Sequence, residues 1–149
     1  MSLEQGLLQE IAASSDVTAI VPNDVSGNPQ IYWGLAPKGA KPPYLILERV
    51  ATGDTYTVTG PSGLRAGLFG VHCFVDSKAG VSSGFYVCRD LANAVRQLLQ
   101  AYTGTLPDSD STKVSAVFIE KDWNMPYQEG ATGFVFHNYL EFRIWYRES

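Results

Sequence analysis

Cysteine and histidine are scarce in this chain, with two of each among 149 residues, and basic residues are outnumbered, 11 Lys and Arg against 15 Asp and Glu for a formal net charge of −4. Each shortage excludes something. Cys73 and Cys88 fall in apolar periodic segments, which reads as buried free thiols in a reducing compartment and not as a disulfide framework. The acidic balance argues against a domain whose main affinity is for nucleic acid or anionic lipid, because phosphate binding needs clustered Lys and Arg; a small local basic site stays compatible with it. The chain lacks an apolar run long enough for a membrane span. Its amino terminus carries Glu4 and Glu10 and shows no basic leader ahead of an apolar stretch, so no secretion signal is expected.

Chemistry is missing in the same way. No G-x-G-x-x-G or P-loop pattern is present to cradle a phosphate. Gly60-Pro61-Ser62-Gly63 superficially resembles a serine nucleophile elbow, but position 64 is Leu where that turn needs Gly, so Ser62 reads as a turn residue. His72 and His137 stand on different strands without further ligands at metal spacing; the pattern predicts His72 as a satisfied strand residue and His137 as solvent-facing. Asp108 and Asp110 follow Pro107 in what reads as a solvated turn. No catalytic, cofactor-binding or metal-ligating residue is assigned, and no enzyme activity is expected.

What the chain does have is the composition of a globular protein, 45% hydrophobic and 17% charged, at a length that suits one domain over residues 1–149. Leu3, Leu7, Leu8 and Ile11 recur at helical spacing, and Ser2 followed by Gln5 has the form of a capping box, predicting a first helix that fades near Ser14. A short helical turn capped by Asp16 is expected over Val17 to Val21. Ile31-Tyr32-Trp33 forms a small apolar island, and Pro37 to Pro43 reads as an exposed connection, too early in the chain to be a domain boundary.

From Tyr44 the period becomes that of β-structure. Strands are predicted over Tyr44 to Val50, Leu64 to Asp76, Val114 to Asp122 and Gly133 to Arg147. Ala51 to Gly63 reads as a long hairpin arm, and Gly67 and Gly70 as strand kinks or bulges. Val81, Phe85, Cys88, Leu91, Ala92, Val95, Leu98, Leu99 and Tyr102 line one helical stripe, with the helix starting anywhere from Ser77 to Ser83 and Gly104 as its stop. In the last strand Phe134, Phe136, Leu140, Phe142, Ile144 and Tyr146 share one parity and His137, Glu141, Arg143 and Arg147 the other, so one face should be core and the other largely wet. The expected fold is α+β: a mainly antiparallel four-stranded sheet of two hairpins joined by a long helix, with an N-terminal helix and both helices on one face.

Strands of a dozen residues or more exceed the ~5 to 6 typical of strands and should outrun the area a helix can cover. Their protruding ends need partners, which sister copies in a closed assembly would supply. Tyr56, Val58, Pro61 and Leu64 of the arm, Trp123 and Tyr127 of the loop expected between the last two strands, and Trp145 are the candidate oligomer-interface residues, since Tyr and Trp are enriched at interfaces. Arm and loop are expected to order on assembly. Lys38, Lys41 and Arg49 form one suggestive basic group, which reads as solvated surface or, in a ring that passes DNA, as a lumen-facing loop.

The order of these motifs resembles a known family. An amino-terminal helix, Ile31-Tyr32-Trp33 with Ala36-Pro37, then Pro43-Tyr44, then the Thr59-Gly60-Pro61-Ser62-Gly63-Leu64 arm, is similar to the tail-completion or tail-terminator proteins of long-tailed bacteriophages and prophages. Leu91-Ala92-Asn93-Ala94-Val95-Arg96 resembles that family's crossover helix and Phe142-Arg143-Ile144-Trp145-Tyr146-Arg147 its closing strand, while Val21 to Gln30 is longer than its usual link. The resemblance spans nearly the whole chain. It implies a virion structural protein, assembled in the bacterial host cytoplasm, that forms a ring, usually a hexamer, on the head-proximal end of the tail. Its partners would be further copies of itself, the tail-tube protein and a head-completion or connector protein, with DNA only passing through the lumen. A connector adaptor or other non-catalytic prophage binding module is the alternative.

Overall fold

A computed structural model of the chain describes residues 2–57, 60–78, 83–100, 102–107, 112–129 and 133–147 and, among these, the side chains of all but 2, 54–57, 60–62 and 78. The elements are α1 (Ser2–Ala12), α2 (Ser15–Thr18), β1 (Ile31–Trp33), β2 (Tyr44–Thr57), β3 (Gly60–Lys78), α3 (Ser83–Leu99), β4 (Gly104–Thr105), β5 (Lys113–Glu129) and β6 (Gly133–Arg147). The expected α+β class is met with a larger sheet: six strands in the order β1-β2-β3-β6-β5-β4 in place of four. All pairs are antiparallel except β1 with β2.

The two extra strands are short and at the margins. Ile31, expected in an isolated apolar island, pairs with Leu45 and is 5% exposed. Its three-residue strand is too short to show an alternation, and its partner lies across a connection that only folding closes. Gly104, expected to stop the long helix, instead opens β4 opposite Val114, while α3 has already ended at Leu99. The second helical turn lies earlier than Val17 to Val21, with Ser14 and not Asp16 at its N-cap position, although Val17 and Val21 are both buried as their spacing requires.

Alternation then sorts the sheet into two faces. Leu45 and Leu47 of β2, Phe69, Val71, Cys73 and Val75 of β3, and Leu140, Phe142, Ile144 and Tyr146 of β6 point to one side. There they meet Leu3, Leu7 and Ile11 of α1 and Cys88, Leu91, Ala92, Val95 and Leu99 of α3 in one core cluster. Gly84 lets the first turn of α3 approach β3 and β6, since a Cβ there would lie 2.6 Å from the Ser77 Cβ and 3.1 Å from the Asp76 carbonyl oxygen. Phe85, placed on the buried stripe by spacing, is 38% exposed and meets Phe136 edge-on at 6.3 Å, and Val81 lies outside the described residues.

The hairpin arm expected over Ala51 to Gly63 is built of paired strand extensions where it is described, and one stretch expected as loop is strand as well. Ala51 to Thr57 continues β2 and pairs with β3 as far as Thr57 opposite Gly60. Trp123 to Glu129 continues β5, with Pro126 accommodated at an irregularity between Met125 and Gln128 on an edge that β4 does not reach. Strands β3 and β6 thus run to 19 and 15 residues, in line with the excess length expected of them, while β2 and β5, expected to end at Val50 and Asp122, run to 14 and 17.

Candidate functional site

The described helices gather on one side of the sheet, and the opposite face, which carries none of them, is not simply wet. Tyr32, Tyr44, Phe74, His72, His137, Tyr139 and Trp123, from five successive strands, form a stripe of rings across it. Tyr44 stacks on Phe74 with centroids 5.3 Å apart, Phe74 on His137 at 4.3 Å, and His72 lies 4.6 Å from Tyr139, which reaches Trp123 at 6.4 Å. Lys121 caps the far end, its Nζ 4.6 Å from the Trp123 ring.

The two histidines, separated in sequence, are adjacent in space. His72 Nδ1 and His137 Nε2 are 2.8 Å apart, and His72 Nε2 donates to Glu48 Oε1 at 2.8 Å. His137 is therefore half-buried in a stack and not solvent-facing as its parity implied, and Glu141, expected to be wet, is buried where Tyr139 donates to its Oε1 at 2.8 Å. Register makes these contacts: His72 lies opposite Tyr139, Phe74 opposite His137, and Ile46 opposite His72. No spacing within one strand could reveal them.

Burial first, then the neighbouring His72, holds the His137 pKa down to about 4. In the unfolded chain a histidine titrates near ~6.5, so the unfolded state takes up this proton first as pH falls. The associated stability is present above that value and is lost as pH falls through about 4. A series of thermal melts should show Tm falling across this window, and His137→Phe should flatten part of that slope.

Gly70 makes room for the stripe. A Cβ there would meet the Tyr139 ring at 2.7 Å and the Glu48 Cγ at 3.0 Å. Gly70→Val should cost about 1–3 kcal/mol in urea unfolding, by displacing a ring that is already hydrogen-bonded and packed. Gly70 is thus a close approach and not the bulge expected of it; the irregularities of this hairpin fall at Arg49/Ala51 and Asp54/Tyr56 on β2.

On the helix side, one polar cluster interrupts the core. Arg89 Nη1 donates to Asp122 Oδ1 at 3.1 Å and to Asn138 Oδ1 at 2.9 Å, and Asn138 Nδ2 donates to Asp122 Oδ1 at 3.2 Å. Asn138 is fully buried, so this mutual satisfaction is what makes its burial tolerable. Beside it, Cys73 and Cys88 are buried and free, as expected. Burial pushes the Cys88 thiol up to about 11 and the Cys73 thiol well above its ordinary value, which disfavours the reactive thiolate.

The candidate interface residues do not form one patch. Tyr56 and Pro61 are paired across the β2–β3 hairpin at the end of the sheet where Leu64 lies opposite Arg147 and Trp145 opposite Ala66; Leu64 and Trp145 are half-buried. Val58 lies outside the described residues, as do Asp108 and Asp110. Trp123 and Tyr127 stand on the edge strand β5, 50% and 56% exposed, Trp123 on the ring-bearing face and Tyr127 against Phe134 at 5.1 Å. The basic group divides too. Lys38 and Lys41 share a concavity with Asp24, whereas Arg49 pairs with Glu4 of α1 at 3.1 Å in a separate groove. Among the described residues no group of three or more His, Cys, Asp or Glu side chains is placed to hold a metal ion, and no helix is long and apolar enough to cross a membrane.

The described residues thus form one sheet with helices on one face, aromatic rings across the other, and the long strands β2 and β5 beside short outer strands. The sequence matches the family described as "Tail completion protein gp17" over residues 5–147, and the chain belongs to that family of structural phage tail proteins. The fold agrees with that of a chain in the solved virion of a native gene transfer agent particle, at a TM-score of 0.69 and 17% identity, covering 98% of this chain and 95% of that one. A second solved chain, 15% identical with a TM-score of 0.48 over 94% of each chain, is too distant to carry an argument. No curated protein matches the sequence at a significant level.

Proposed function

We propose that this chain, folded as one domain, assembles into a ring, a hexamer by the family resemblance, at the head-proximal end of a phage-type tail. There it ends tail-tube polymerisation and offers the surface on which the head is joined. The observation that carries this reading is the family match along nearly the whole chain; the open edges of a sheet with overlong strands support it. The tail-completion family match supports a place in the virion tail, and assembly in the host cytoplasm is part of the same proposal. Tyr56, Val58, Pro61, Leu64 and Trp145 would then make contacts at one end of the subunit and Trp123 and Tyr127 at the edge, and Lys38 and Lys41 would face a DNA-passing lumen.

Light scattering over a concentration series, alone and with the tail-tube protein, tests this directly. Expected is a large species that images with six-fold symmetry. A monomer at every concentration, tube protein included, would overturn the ring, and a one-to-one complex without self-association would indicate a connector adaptor.

A further inference from the structure

The geometry points to a proton-counting switch on the ring-bearing face of the sheet: Glu48, His72 and His137 form a hydrogen-bonded relay across β2, β3 and β6 that stays closed with one added proton and is opened by a second. This goes beyond the ring reading and does not depend on it.

The hydrogen count follows from the acceptor at one end. A carboxylate only accepts, so the 2.8 Å contact between Glu48 Oε1 and His72 Nε2 places a hydrogen on that nitrogen. With both rings neutral, His72 Nδ1 is then bare, and the hydrogen in its 2.8 Å contact with His137 Nε2 sits on His137. One added proton still leaves a single hydrogen between the two rings, whichever of them carries the charge, because the neutral partner can shift its own hydrogen to the far nitrogen. A second added proton puts an N–H on both facing nitrogens. The hydrogen bond then becomes a contact of two donors with like charge.

The surrounding charges balance to the same count. Glu48 and Tyr44 approach the pair from β2, Tyr139 and Glu141 from β6 and Lys121 from β5, while Asp76 lies further along β3, opposite Val135. Glu141 is already engaged: it accepts from the Tyr139 hydroxyl at 2.8 Å and lies 3.7 Å from Lys121 Nζ. Burial first holds the Tyr44 and Tyr139 hydroxyls above their ordinary range, so neither supplies a charge. Among the described residues Glu48 is thus the carboxylate hydrogen-bonded to the pair, and its single charge offsets one proton and not two. The low pKa of His137, set by burial and then by His72, is in keeping with a proton that enters against an earlier one.

Packing decides which ring moves. Tyr139 and the Glu48 stem fill the space over Gly70, where a Cβ would meet them at 2.7 and 3.0 Å, and Tyr139 lies 4.6 Å from His72. His72 has no room to retreat on that side. The repulsion therefore falls on His137 and on Phe74, which stacks on it at 4.3 Å and links it to Tyr44 at 5.3 Å.

The test is nuclear magnetic resonance on the full-length protein with labelled histidine and phenylalanine, titrated from neutral pH into acid. Expected at neutral pH is a hydrogen on Nε2 of both histidines. Protons should then be taken up in two steps separated by more than about one pH unit. The cross-peak between the His137 and Phe74 rings should survive the first step and vanish in the second, with unchanged circular dichroism. Independent titration of the two rings, loss of the cross-peak in the first step, or loss of the fold together with it overturns the switch. In His137→Phe the contact of Phe74 with the ring at position 137 should persist through the same range, and its loss there would show that the second proton is not the cause. Should that variant fail to fold, the first titration decides alone. Glu48→Gln keeps an acceptor but removes the charge that favours protonation, so both steps and the opening should move to lower pH. An opening abolished by that change belongs to the carboxylate and not to the histidine pair, and overturns the proposal.

Discussion

Phe142→Ala is expected to lower the unfolding free energy by about 3–5 kcal/mol, enough to threaten the folded state of an ordinary domain. Phe142 is fully buried at the middle of β6, between Phe69 of β3 and Ile119 of β5. Side chains from α1, β1, β2 and α3 converge on it, including Leu7, Trp33, Leu47 and Leu99. Truncation removes the ring's transfer free energy and leaves a cavity whose walls belong to several elements, so no single one can move to fill it. Phe142→Leu, which keeps most of the volume, should cost about 1–2 kcal/mol. Urea unfolding with an unchanged m-value measures both, and a loss under 1 kcal/mol for the alanine variant would mean that the core is organised elsewhere.

Arg89→Met has the next largest expected effect, about 2–3 kcal/mol. The guanidinium is shared between Asp122 and Asn138, with Arg89 and Asp122 side chains 29% and 22% exposed and Asn138 not exposed at all. Removing the cation strands the Asn138 carbonyl and leaves the Asp122 carboxylate with one short hydrogen bond and a distant Arg96 at 4.0 Å. The cost is that of unsatisfied groups and not of a lost attraction, so Arg89→Met with Asp122→Leu should be less destabilised than the sum of the two single changes. Additive losses in that double-mutant cycle would show that the residues do not act as one network.

The legibility of this fold followed the range of the interactions involved. Leu3, Leu7 and Ile11, or Leu91, Val95 and Leu99, announce a buried helix face because neighbours three and four apart share it whatever lies opposite. Leu140, Phe142, Ile144 and Tyr146 announce a core-facing strand by the same local logic with period two. The excess length of β3 and β6 was readable for that reason, and the order of the quoted motifs led to the tail-completion family. Ile31-Tyr32-Trp33 and Gly104-Thr105 were not readable as strands, being too short for a period and paired across long connections. Trp123 to Glu129 was hidden by Pro126, which rules out a central strand but not an irregular edge.

Thus the periods within each segment determined the α+β class, the core parity of β6 and the buried, unreactive thiols, since each depends on residues a few places apart. Tertiary structure alone decided that His72 meets His137 and Glu48, that Arg49 belongs with Glu4 and not with Lys38 and Lys41, and that β2 and β5 outrun the short outer strands β1 and β4. Those outcomes depend on strand order and register, which are settled only when distant segments pair, and a shift of one residue in that pairing would turn each of these side chains to the opposite face.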